Sequence, residues 1–174
     1  QGLNGAVDPI DTRFIRLQIR GNVQAGHWRE AIEWPKDEWQ TVYVPRPDGH
    51  RQYFGVIARG NSMDLIYPDG TILVCVSILD YDKALSQGQK VIVERRDSIG
   101  QTEATVKELR QHPDGSVWLW PRSSDPTFQA PLPMPRPNVQ ADSHDTGVGD
   151  VRITAVVVSS VRPEEPTGDP IQWG

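Results

Sequence analysis

One serine and one lysine in this sequence have the surroundings that nucleophilic chemistry needs. Ser62 stands in Gly60-Asn61-Ser62-Met63-Asp64, directly after the apolar run that ends at Ala58. The glycine lets the backbone turn sharply there and present a hydroxyl together with the N–H groups beside it. Lys107 sits inside a strand-like run, flanked by Val106 and followed by Leu109. Such a lysine faces either solvent or the interior. Turned inward, it loses hydration and its pKa falls. A neutral amine is a competent general base for a serine hydroxyl, so Ser62 and Lys107 together could form a Ser-Lys dyad. On residue type and spacing alone, an ordinary Gly-Asn-Ser turn and an exposed strand lysine are the better description.

Other chemistries are poorly served. Ser62 lacks the second glycine of a nucleophile elbow. His27, His50, His112 and His144 are scattered among loop segments, where no strand would hold an imidazole for a triad or gather a metal site. There is no G-x-G-x-x-G after a strand and no P-loop. The single cysteine, Cys75, lies in the apolar run TILVCV and reads as a small core residue. No metal and no cofactor are implied. The charge balance, 18 basic against 23 acidic residues, gives −5, which excludes a strongly DNA-binding surface on this stretch. No apolar run approaches the ~18–20 residues of a membrane span, and no signal peptide is visible. The reading is therefore no membrane association and a cytoplasmic location.

The elements that must position these residues are strands. The chain of 174 residues suits one domain with tails. Its 15 glycines and 15 prolines argue for strands and turns over a helix bundle. Strand patterns fall at residues 14–23, 41–44, 53–60, 71–78, 90–95, 102–110, 116–120 and 151–161, divided by turn signals such as Pro68-Asp69-Gly70 and His112-Pro113-Asp114-Gly115. Residues 27–40 carry Trp28, Trp34 and Trp39 at spacings that fit neither period, and read as a loop with a short helical turn. That loop either packs on the sheet or acts as a hinge. Residues 121–150 read as a long loop. The expected fold is mostly β with about eight strands, and the absence of long intervening helices disfavours a parallel α/β sheet.

Taken in order, four segments resemble a known family. Residues 54–76, FGVIARGNSMDLIYPDGTILVCV, closely resemble the catalytic segment of the LexA-type self-cleaving repressors. Residues 102–109, TEATVKEL, resemble the family's strand that carries the general-base lysine. Residues 118–131, WLWPRSSDPTFQAP, resemble the strand and Pro-rich turn that follow. Gly21-Asn22-Val23-Gln24-Ala25-Gly26 resembles the segment such proteins cut between a small residue and glycine. The resemblance implies a signal-peptidase-like β fold, Ser62 as nucleophile, Lys107 as base, the Ala25–Gly26 bond as cleavage site, and the backbone N–H groups of Asn61 and Ser62 as oxyanion-hole donors. It also implies a homodimer with residues 151–161 at its interface, stimulation by a RecA filament in the DNA-damage response, and operator DNA bound through a missing N-terminal domain. Residues 1–20 would then be linker, 21–162 the autoprotease and dimerisation domain, and 163–174 a disordered tail. Gln1 in place of Met fits a chain trimmed upstream. The 45 residues between Ser62 and Lys107 exceed the spacing in LexA, so residues 79–87 read as an added loop. Alternatives of the same fold are a dimerising, ligand-sensing domain that no longer cuts and a UmuD-like accessory subunit of a translesion polymerase. A signal peptidase would need a membrane anchor.

Overall fold

Strict alternation makes the first strand. In the computed structural model, which describes residues 13–30, 32–49, 52–134 and 150–164, β1 (Phe14–Val23) buries Leu17, Ile19, Gly21 and Val23 and leaves the residues between them more open. β2 (Gln40–Pro45) lies antiparallel to it, and β3 (Phe54–Ala58) runs parallel along its other edge. The chain continues through β4 (Ile72–Ser77), β5 (Lys90–Arg96), β6 (Thr102–Gln111), β7 (Val117–Trp120), the two-residue β8 (Leu132–Pro133) and β9 (Asp150–Val161). Together they form one mixed nine-stranded sheet in the order β2-β1-β3-β4-β9-β5-β6-β7-β8. Among the described residues the helical elements are two single 3-10 turns, Lys36–Glu38 and Pro126–Phe128.

The mostly-β expectation holds, with one short strand more than the sequence patterns indicated. β8 is too brief to leave a periodicity. Residues 14–20, assigned above to the linker, belong to the sheet instead, because Leu17 and Ile19 are fully enclosed there. β9 is hydrogen-bonded along both edges, to β4 and to β5. A dimer contact through it would have to use a face rather than an edge. The region from 79 to 87 is an exposed loop, as its length surplus suggested. The expectations for residues 1–12, for most of the 132–150 loop and for the tail from 165 onward lie outside the described residues.

Three apolar clusters form the core around the sheet. The one that matters for the site unites Val23, Val56, Ala58, Met63, Tyr67, Leu73, Cys75, Ile92, Ala104 and Val106. It joins the end of β1, the segment that carries Ser62 and the strand that carries Lys107 in one packed unit. Cys75 is fully enclosed within it, and burial pushes its thiol well above the usual range, which makes it an inert core residue.

Candidate active site

β3 delivers the chain into a tight turn at Gly60, whose φ of +76° is open to glycine and strained for other residues. The Gly60 N–H donates to Asp69 Oδ1 at 2.8 Å, so the Pro68-Asp69-Gly70 turn braces the turn before Ser62. After it, the N–H groups of Ile66 and Tyr67 donate to the Met63 carbonyl at 3.0 and 2.7 Å, while Met63 and Tyr67 plug into the core. Ser62 is held between these anchors and is itself buried.

A second segment clamps the same turn. Arg122 N–H donates to the Ser62 carbonyl, and Leu65 N–H donates to the Arg122 carbonyl, both at 3.1 Å. The Ser123 hydroxyl donates to the Asn61 carbonyl at 2.6 Å, and the Asn61 amide donates to Asp125 Oδ2 at 2.9 Å. Ser124 donates to Asp64 through both its N–H and its hydroxyl. These bonds hold the Asp64 carboxyl below its ordinary range, and the Thr127 N–H and hydroxyl do the same for Asp125. In the sequence, residues 121–150 read as loop, and this clamp does not show. Its only sequence signal is the Ser123-Ser124-Asp125-Pro126 run, and its partners lie some 60 residues away. Ser123→Ala strips a donor from the Asn61 carbonyl and an acceptor from the Asp125 N–H. We expect a loss of about 1–3 kcal/mol in denaturant unfolding, the cost of leaving buried partners unsatisfied.

Lys107 points inward. It lies on β6 on the same side as Glu103 and Thr105, and is 5% exposed. β6 is covered on both faces over eight of its ten residues, which an alternating pattern could not reveal. The Lys107 amine donates to Thr105 Oγ1 at 3.0 Å. Its pKa falls from 10.5 to about 8, first because burial penalises the ammonium; the Glu103 carboxylate opposes the drop and the Arg95 guanidinium adds to it. Glu103 is fully enclosed and pairs with Arg95 Nη2 at 2.5 Å. Glu103→Gln removes the one contribution that holds the ammonium. The Lys107 titration midpoint, followed by NMR at its ε-methylene, is expected to fall below 8.

The end of β1 lies between these two groups of residues. The Val23 carbonyl accepts from Arg59 N–H at 2.9 Å, on the side that leads into the Ser62 turn. Gln24 N–H donates to the Ala104 carbonyl on β6 at 2.8 Å. The chain then turns at Ala25 and Gly26, with φ +75° at the glycine, and Gly26 N–H donates to Glu103 Oε1 at 2.5 Å. Beyond it, Arg29 and Thr102 exchange a pair of backbone bonds at 3.0 and 2.8 Å. The structure thus brings Gly26 against β6, and Val23 and Gln24 beside Arg59 and Gly60, the latter two residues before Ser62. The amine of Lys107 is engaged by Thr105, and among the described residues no hydrogen bond joins it to Ser62. The backbone N–H groups of Asn61 and Ser62 donate to no described residue.

Glu103 is the site residue that sequence reasoning missed, since a strand glutamate ordinarily faces water. Glu108, also buried, receives Arg110 Nε at 2.8 Å and Arg122 Nε at 3.5 Å. Next to Lys107 in the chain, it thereby ties the clamp to β6. The tryptophans of the 27–40 segment pack on the body of the protein. Trp28 stacks with Arg95 at 5.2 Å, Trp39 with Arg20 at 4.9 Å, and Trp34 joins the cluster around Leu17.

A mostly-β sheet that presents a clamped serine turn and a buried strand lysine has the architecture of a serine-peptidase-type domain. The sequence pattern of the Peptidase S24-like family matches residues 18–140, more than half of the chain. The chain therefore belongs to the Peptidase S24-like family, that of the LexA, UmuD and phage-repressor C-terminal domains. No curated protein matches it. Among the described residues no helix is long and apolar enough to cross a membrane.

Proposed function

We propose that this chain is the autoproteolytic and dimerisation domain of a LexA-like repressor, and that it cuts its own Ala25–Gly26 bond. The observation that carries the reading is the burial of Lys107, which brings its pKa to about 8 beside a turn already seated on the same strand. Neutral Lys107 takes the Ser62 proton once its amine swings from Thr105 to the hydroxyl. Ser62 Oγ attacks the Ala25 carbonyl carbon, and the oxyanion is received by the unengaged N–H groups of Asn61 and Ser62. The C–N bond to Gly26 breaks, and the Gly26 nitrogen leaves with the proton that Lys107 carries. Water then hydrolyses the acyl-serine, leaving a carboxylate at Ala25 and restoring the Ser62 hydroxyl. Attack within one chain gains greatly from proximity, so modest base strength suffices.

Control in this reading lies in two equilibria, the protonation of Lys107 and the final approach of the turn to Ser62. A RecA filament would promote cutting only by preferring the approached state. Cutting would separate an upstream operator-binding domain from the dimerising one and remove the avidity that holds the repressor on DNA. The non-cleaving reading is favoured by one observation, the engagement of the Lys107 amine by Thr105. The two are told apart by incubating wild type and Ser62→Ala at pH 7 with and without RecA filaments on single-stranded DNA. Faster cutting with the filament, absent in the variant, supports the proposal. An intact wild-type chain under both conditions and again at pH 9 leaves the non-cleaving domain.

A further inference from the structure

The proposed scissile bond follows β1 rather than preceding the sheet, and this placement bears on what happens to the products. β1 is paired along its length. Phe14 to Ile19 match Pro45 to Gln40 on β2, and Ile19 to Val23 lie along Gly55 to Ala58 on β3. Leu17 and Ile19 are at most 1% exposed, and Val23 is buried in the cluster beneath the Ser62 turn. The groove is shaped for them: a Cβ on Gly55 would lie 2.9 Å from Leu17 Cδ2 and 3.1 Å from Ile19 Cγ1. Backbone bonds from Trp34 N–H to the Arg20 carbonyl, from Arg59 N–H to the Val23 carbonyl and from Gln24 N–H to the Ala104 carbonyl add to the sheet ladders. Each of these contacts joins a residue upstream of the Ala25–Gly26 bond to one downstream of it, and none needs that bond intact.

We infer that the groove between β2 and β3 is a strand-binding site that keeps the N-terminal product docked after the chain is cut, so that cleavage and release are separate steps. This rests on the cleavage site proposed above. The site takes an extended peptide with large apolar residues at alternate positions, Leu17 and Ile19, with Gly21 and Val23 completing the buried face. The other new end is held as well. Hydrolysis turns the Gly26 amide into an ammonium, and the Glu103 carboxylate that already accepts from that nitrogen becomes its counter-ion. Release of anything joined upstream of β1 then waits for the strand to leave its groove. A strand of the same pattern from a second copy would compete for the vacancy.

The test does not need self-cleavage. In a Ser62→Ala background, a site-specific protease sequence is placed across residues 24–27 and cut, and the product is run by native mass spectrometry and under denaturing conditions. The expected result is one native species holding both fragments, which separate only in denaturant. Adding Leu17→Asp is expected to release the N-terminal fragment under native conditions, and an excess of synthetic peptide of residues 13–25 is expected to exchange into the groove of the nicked protein. Spontaneous separation of the nicked fragments overturns the inference, as does retention that neither Leu17→Asp nor the peptide disturbs. A failure of the wild-type chain to cut itself would count against the proposed activity and leave this result standing.

Discussion

Cleavage of the Ala25–Gly26 bond is expected to accelerate about tenfold between pH 7 and pH 9, along a single titration with its midpoint near 8. Only neutral Lys107 accepts the Ser62 proton. With a pKa of about 8, roughly a tenth of the molecules carry the free amine at pH 7 and roughly nine-tenths at pH 9. An ordinary exposed lysine, titrating near 10.5, would give a rate still climbing steeply at pH 9. First-order rate constants at half-unit intervals from pH 6 to 10 check this. A flat profile, or one rising through 10, would mean that the buried amine is not the base. Glu103→Gln should move the midpoint to lower pH, since the enclosed carboxylate favours the ammonium.

Lys107→Met is expected to abolish cutting and yet to stabilise the fold at neutral pH by roughly 1–3 kcal/mol. The folded-state pKa of Lys107, about 8, lies below its unfolded value of 10.5. Between those values the unfolded chain binds more protons than the folded one, so stability rises with pH across that window. Below pH 8 the penalty of enclosing a charge is carried in full; above about 10.5 it is gone. Methionine fills similar volume with no charge to desolvate, and its variant should lose the pH slope between 8 and 10.5. Loss of the bond to Thr105 sets the lower end of the gain. Urea unfolding of both proteins at pH 7 and pH 10 measures the gain and the slope together. A variant less stable than wild type at pH 7 would show that Lys107 is a structural cation held by Glu103.

The combination of a destabilising lysine and a clamped serine turn explains the organisation of the domain. The three-way meeting of β1, the Ser62 turn and β6 is secured from outside the site by the 122–125 segment and by Glu108. The groups that would react are left with few competing bonds. This is the pattern of a site whose geometry is fixed while its reactivity is set by one proton and one small approach.

Much of this architecture is legible in the sequence because the strands obey simple rules. β1 shows its alternation over ten residues, and Pro68-Asp69-Gly70 and the His112 to Gly115 turn announce themselves through glycines that adopt positive φ. What is not legible depends on neighbours far along the chain. The inward direction of Lys107 follows from both faces of β6 being covered, which its own alternation does not encode. Glu103 reads as a surface residue until Arg95 and the Gly26 N–H are placed against it. The Ser123 to Asp125 clamp is a set of short polar side chains that could equally be solvated, and it acquires meaning only when the turn at Asn61 closes on it. The pairing of Ser62 with Lys107 is proposed through the resemblance of their segments to a family, since neither spacing nor residue type pairs them. The inclusion of residues 14–20 in the sheet, against the linker reading, reflects how well Leu17 and Ile19 fill the space that Gly55 leaves.

The most direct measurement is the intact mass of the chain after incubation at pH 9, wild type beside Ser62→Ala. The account predicts fragments of residues 1–25 and 26–174 from the wild type and an unchanged mass from the variant. An intact wild-type chain, or cutting that persists without the Ser62 hydroxyl, would contradict it.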